Sequence, residues 1–184
     1  MVTAVLRKQQ RSLFSTIHSE GTLFPLDMLQ RIEQFDPTLE GTTAASYHRE
    51  GYKLNEAINN AWLQLLPDWH NLQNELSKPH TADRVRELTL NRWLLRIFEV
   101  FGYGRLPANK QAIRLENKEK NYAITYGWGQ VPFHLVSYQQ DLDEVLRTPG
   151  TTFRNSAYSL VQELLNNSNE HLWGIVSNGR TLRL

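Results

Sequence analysis

A change of hydrophobic period at "FGYGRLP", residues 101–107, restricts the fold of this chain more than any other feature. Before it, apolar residues recur at steps of three and four; after it they recur at every second position. A period near 3.6 lines one face of a helix and a period of two lines one face of a strand, so the two parts cannot share one secondary structure. Gly102 supplies the left-handed residue that ends a helix, and Pro107 forbids its continuation. The expected class is therefore α+β, helical first and mixed later.

Upstream of the switch, "PLDMLQRIEQF" at 25–35 predicts a short amphipathic helix ended by Pro37. Tyr47, Gly51, Leu54, Ile58, Ala61 and Leu65 advance by threes and fours, which predicts a buried stripe on a helix over 47–66. Pro67 is expected to break or kink it, and Lys78-Pro79 to stop the turns that follow. A third helix is expected over 81–101, burying Leu90, Leu94, Ile97 and Phe101 and placing Arg84, Arg86, Arg92 and Arg96 elsewhere around the cylinder.

Downstream, "QAIRLE", "NYAITYG" and "VPFHLVSY" read as three strands separated by the polar tip "NKEK" and by "GWGQ". "DLDEVLRTPGTTFRNS" reads as a long connection and "AYSLVQELLNNS" as a helix. The closing "HLWGIVSNGRTLRL" reads as a hairpin, with a strand from Leu172 to Ser177, a type I′ turn at Asn178-Gly179 and a return from Arg180. That return stops at Leu184 without a polar tail, so the chain is expected to be cut or truncated from something longer. The expected architecture is an N-terminal helical region, 1–80, packed on a small mixed sheet of about five strands with a C-terminal helix and hairpin, 81–184; the seam falls near "SKPHTAD".

Composition excludes several chemistries. With no cysteine there is no disulfide, thiol nucleophile or Cys-based zinc site. No apolar run approaches the roughly 18 residues that a membrane span needs, and the first residues lack a secretory apolar core, so a soluble cytoplasmic protein is expected. The net charge of +1 conceals an asymmetry: residues 19–77 hold three Lys/Arg against nine Asp/Glu, whereas 78–120 hold ten against five. A basic block of this kind can attract phosphate even when total charge is near zero.

Motif by motif, little catalytic chemistry emerges. There is no Walker loop, and "GWG" lacks the third glycine and following helix of a dinucleotide site. The histidines at 18, 48, 70, 80, 134 and 171 show no metal-binding spacing, and no nucleophile elbow is present. Asp141, Asp143 and Glu144 follow the third strand; clustered acids there can hold a divalent cation, and they equally make a solvated loop.

"NRWLLRIFEVFGYGRLP" with the strands after it, and "SLVQELLNNSNEHLWGIVSNGRTLRL", resemble the N-terminal region of Eco57I-like and type IIG-like adenine-specific DNA methyltransferases of restriction-modification and phage-defence systems. The similarity extends with less specific wording through "GYKLNEAINNAWLQLL" and covers most of the chain. It implies a restriction-endonuclease-like, PD-(D/E)xK-like domain ahead of a methyltransferase domain. In such nucleases two acids bind Mg²⁺, a lysine assists the attacking water, and a helix carries a Gln. Gln162 matches that Gln, but Pro132-Phe133 stands where Pro-Asp is expected. The only Glu-x-Lys, Glu116-Asn117-Lys118, falls at a hairpin tip. The resemblance thus implies a degenerate domain without hydrolytic residues.

S-adenosylmethionine, and Mg²⁺ where used, would belong to the parent protein, because this segment has neither the adenine-holding Pro-Pro-Tyr/Phe motif nor a glycine-rich turn for that cofactor. The implied partners are DNA, touched through Arg92, Arg96, Arg105, Lys110 and Arg180, and a C-terminal methyltransferase domain or defence-system subunit, with no membrane. Two other readings stay open. One is a docking module using aromatic residues such as Trp69 and Trp128; the other is a metal-dependent endonuclease using Asp141, Asp143 or Glu144.

Overall fold

The computed structural model describes residues 16–18, 25–115, 120–147 and 154–184. The chain divides into two units, residues 1–57 and 58–184.

In the first unit, α1 (Leu26–Glu33) starts after Pro25, whose backbone is extended. It ends through Phe35 at φ 52, where the Phe35 N–H donates to the Ile32 carbonyl and the Asp36 N–H to the Arg31 carbonyl. This is a Schellman closure, built here on a residue other than glycine. Asp36 then organises the loop: one carboxylate oxygen pairs with the Arg31 guanidinium at 2.7 Å and the other accepts from the Thr38 N–H and hydroxyl. Together these donors hold its carboxyl well below the usual range, at about 2. A 3₁₀ turn, Ala44–Tyr47, follows. The helix expected from residue 47 does not start there. His48 at φ 55 and Gly51 at φ 84 interrupt it, and α2 runs over Leu54–Leu76.

In the second unit α2 passes through Pro67 without a break. Proline removes the N–H that would bond residue 63, at a cost of about 3 kcal/mol in a helix interior. Leu63, whose carbonyl loses that donor, is an exposed residue. The buried stripe also differs from expectation: Leu65 and Leu72 are buried, whereas Ile58 is exposed.

The helical run after Thr81 is interrupted by two wider turns. The Thr81 hydroxyl accepts the Arg84 N–H and caps α3 (Ala82–Leu88). A π-helical segment, Thr89–Leu94, precedes α4 (Leu95–Phe98), and a second, Glu99–Tyr103, ends at Gly102 with φ 93. Each π turn takes up extra residues and rotates the stripe. Leu90 and Leu94 are buried as expected, but Phe98 takes the deep position and Phe101 is exposed.

The largest sheet has four strands, adjacent in the order β3 (Tyr126–Trp128), β4 (Val131–Leu135), β7 (Ile175–Ser177) and β8 (Leu182–Arg183). Strand β3 turns at Gly129 and Gln130 into antiparallel β4, with Trp128 opposite Val131. Strand β4 lies parallel to β7, with His134 opposite Val176, and β7 is antiparallel to β8. The parallel pair is joined through α5 (Ala157–Asn167), whose start is fixed by a reciprocal Ser156–Ser159 capping box. Outside the sheet lie two antiparallel ribbons, β1 (Ile113–Arg114) with β2 (Asn121–Tyr122) and β5 (Leu146–Arg147) with β6 (Arg154–Asn155). The expected second strand is therefore two short ones serving different sheets, and the expected long connection contains a ribbon.

Alternation along β4 and β7 gives the sheet two apolar faces. Phe133, Leu135 and Ile175 pack with Leu90, Leu94 and Phe98. On the opposite face Val136 and Val176 pack with Tyr122, Ile124, Val161 and Leu164. The free edge of β3 is covered by residues 107–109, where the Gly127 N–H donates to Pro107 and the Asn109 N–H to Thr125.

Candidate nucleic-acid interface

The final hairpin, expected as a two-residue type I′ turn, closes over four residues instead. Asn178 lacks the positive φ that type I′ demands; only Gly179, at φ 84, has it. The Asn178 side-chain oxygen accepts the N–H groups of Arg180 and Thr181, each at 3.0 Å, and its amide donates to the Gln140 carbonyl at 2.8 Å. A self-bonding Asn has folded the loop around its own side chain, which competes successfully with the tighter turn.

This loop is held against the first π-helical segment. The Trp93 indole N–H donates to the Gly179 carbonyl at 2.8 Å, and a β-carbon at Gly179 would lie 2.9 Å from Trp93 Cδ1. Nearby, the fully buried Thr89 hydroxyl donates to Val85 and accepts the Tyr138 N–H. Aromatic contacts extend from there: Trp93 to Trp69 at 5.0 Å, Trp69 to Tyr138 at 6.2 Å, and the Arg180 guanidinium over the Tyr138 ring at 5.1 Å. The ladder begins on half-buried rings and ends on an exposed cation.

The five basic residues singled out from the sequence divide into two groups. Arg96 is engaged, pairing with Glu99 at 2.7 Å and with Asp68 at 3.5 Å. Arg92, Arg105, Lys110 and Arg180 are exposed and form no ion pair with the described residues. Arg92 and Arg180 each adjoin a member of the Trp93–Gly179 contact in sequence.

The acidic candidates lie on one turn. The Asp141 carboxylate accepts the Asp143 N–H at 2.8 Å, and both Asp143 oxygens are taken by the Arg183 guanidinium at 2.6 Å, which holds that carboxyl below its usual range. Glu144 is exposed. Among the described residues no three His, Asp or Glu side chains gather as a metal site would need. Glu116, Asn117 and Lys118 lie outside the described residues.

Gln162 is exposed, and its neighbour Glu163 is the residue of α5 that reaches across to other strands with its carboxylate. Glu163 pairs with Lys120 and accepts from Asn155 at 3.3 Å, which ties α5 to β2 and β6. Of the aromatic candidates, Trp69 sits within the ladder, and Trp128 is exposed with an edge contact to Tyr103. His134 is buried on β4, and its Nδ1 has no hydrogen-bond partner among the described residues. Burial, with the positive charge of Arg86 nearby, pulls its pKa down to about 4.

Sequence reasoning missed Trp93 and Tyr138 and gave Gly179 a turn role only. The Trp93–Gly179 bond spans 86 positions, and no local pattern announces a contact at that separation. No protein-family model, curated protein or solved structure matches this chain.

Proposed function

We propose that residues 58–184 are a non-catalytic domain of degenerate restriction-endonuclease-like architecture that grips DNA through its phosphates. In this reading it serves an adenine-specific methyltransferase of a restriction-modification or phage-defence system, and S-adenosylmethionine belongs to the methylating part. One observation carries the reading: Arg92, Arg105, Lys110 and Arg180 are exposed cations that pair with no acid among the described residues, while the carboxylate of Asp143 is taken by Arg183. Phosphate contact needs only positive charge with reach, whereas hydrolysis needs carboxylates free to bind metal. The order of a helical run, a β3-β4 hairpin and a crossover through α5 to parallel β7 agrees with the nuclease-like reading. Strand β4 carries Pro132-Phe133 where Pro-Asp is expected, and it contains no Glu-x-Lys.

A gel-shift titration with duplex DNA across a range of salt tests it. Affinity falling steeply with salt is expected, and no shift at low salt would remove the reading. Continuation of the reading frame past Leu184 into methyltransferase motifs would support the assignment to a methylating enzyme.

Domain bracing is a second reading, favoured by Ile58, Trp62 and Leu63 on α2, which are 51%, 62% and 57% exposed. Capture of a methyltransferase domain without any DNA affinity would select it. Cleavage of plasmid with Mg²⁺, abolished by Asp141→Ala, would instead establish an endonuclease.

A further inference from the structure

We propose that Arg180 is a stacking platform for an unpaired base, so that the DNA held here is single-stranded or locally opened. The inference rests on the phosphate-gripping reading and narrows its ligand. Three features carry it. Trp93, Trp69 and Tyr138 meet in successive tilted ring contacts, the Arg180 guanidinium carbon lies over the Tyr138 ring at 5.1 Å, and the Arg180 side chain is exposed. A guanidinium packed on an aromatic ring on one side offers its other side to a base, because both surfaces are flat and the base carries a π-face.

Preorganisation is the second feature. The Arg180 N–H is held by Asn178, Gly179 is held by Trp93, and the Asn178 amide is held by Gln140, so the loop that presents the side chain is anchored at three successive positions. A platform already in place loses little conformational freedom when a base arrives.

Charge is the third. Arg180 pairs with no described carboxylate, and Arg92, next to Trp93 in the chain, is equally unpaired and exposed. Aromatic stacking with adjacent positive charge is the combination by which proteins hold single strands without reading sequence. A duplex keeps its bases stacked on one another and would engage only the charges.

The test compares three probes on the full chain at one salt concentration: oligothymidylate, an abasic oligomer with the same number of phosphates, and a duplex of equal length. Stacking predicts that oligothymidylate binds about ten-fold more tightly than the abasic strand, given the stacking contribution of roughly 1–3 kcal/mol per base. Arg180→Lys keeps the charge and removes the plane, so it should bring oligothymidylate down to the abasic affinity and leave the salt dependence unchanged. Equal affinity for the thymidine and abasic strands, or tighter binding of the duplex than of oligothymidylate, would overturn the inference and leave phosphate gripping intact. No binding of any probe at low salt would remove both.

Discussion

Trp93 and Gly179 stand 86 positions apart in the chain and meet through one 2.8 Å hydrogen bond, from indole N–H to backbone carbonyl. That bond joins the π-helical segment bearing Arg92 to the loop bearing Arg180. The contact is close enough that the loop residue must lack a side chain, and its φ of 84 makes the same demand independently.

Gly179→Ala should therefore cost about 2 kcal/mol of stability, because the new carbon strains the backbone and presses on the indole. Trp93→Phe keeps most of the ring and removes the donor, so a smaller loss of about 1 kcal/mol is expected. Urea unfolding midpoints of the two variants, measured beside the parent chain, check both values and their order.

Gly174 makes a second close approach, on the other face of the sheet. A β-carbon there would fall 2.6 Å from Val161 Cγ1 and 3.5 Å from Pro132 Cγ. Gly174→Ala should destabilise by about 1–3 kcal/mol through overpacking. Combining it with Val161→Ala should cost less than the sum of the single changes, since the second opens space for the first. A double-mutant cycle on thermal midpoints decides this; strict additivity would contradict the packing described.

His134 makes stability depend on pH with a definite sign. Its pKa is about 4 in the fold against an ordinary 6.5, so between those values the unfolded chain binds the proton that the folded chain refuses. The contribution is fully present above pH 6.5, declines as pH falls towards 4 and changes little below that. The total change is about 3 kcal/mol. Denaturation midpoints of the parent and His134→Leu across this range should diverge, the variant losing less stability on acidification. Parallel curves would show that the imidazole titrates freely in the fold.

The exposed cations differ from the engaged one in what their removal should do. Replacing Arg92, Arg105, Lys110 or Arg180 by Ala should each reduce the slope of log affinity against log salt by about 0.9 where that side chain touches a duplex phosphate. Arg96→Ala should leave the slope nearly unchanged, since its guanidinium is held by Glu99 and Asp68. Salt titrations of the five variants distinguish them; a slope lost with Arg96 and retained with the other four would reverse the assignment.

Local order was readable from the residues themselves. The change of period near Gly102, the capped helix before Asn167 and the alternation of "VPFHL" all follow from short-range stereochemistry, and the structure contains each of them. Where neighbours only a few positions apart compete, reading was weaker: π turns moved Phe101 outward, Pro67 was carried inside a helix, and the Asn178 side chain widened a turn. Tertiary structure alone decided which residues form the candidate site. Trp69, Trp93, Tyr138 and Arg180 come from four distant parts of the chain, and Asp143 is set apart from them by Arg183, 40 positions further on. A sequence records periodicity because periodicity is local; it does not record which surfaces meet when two faces of a sheet are covered, and those meetings chose the partners here.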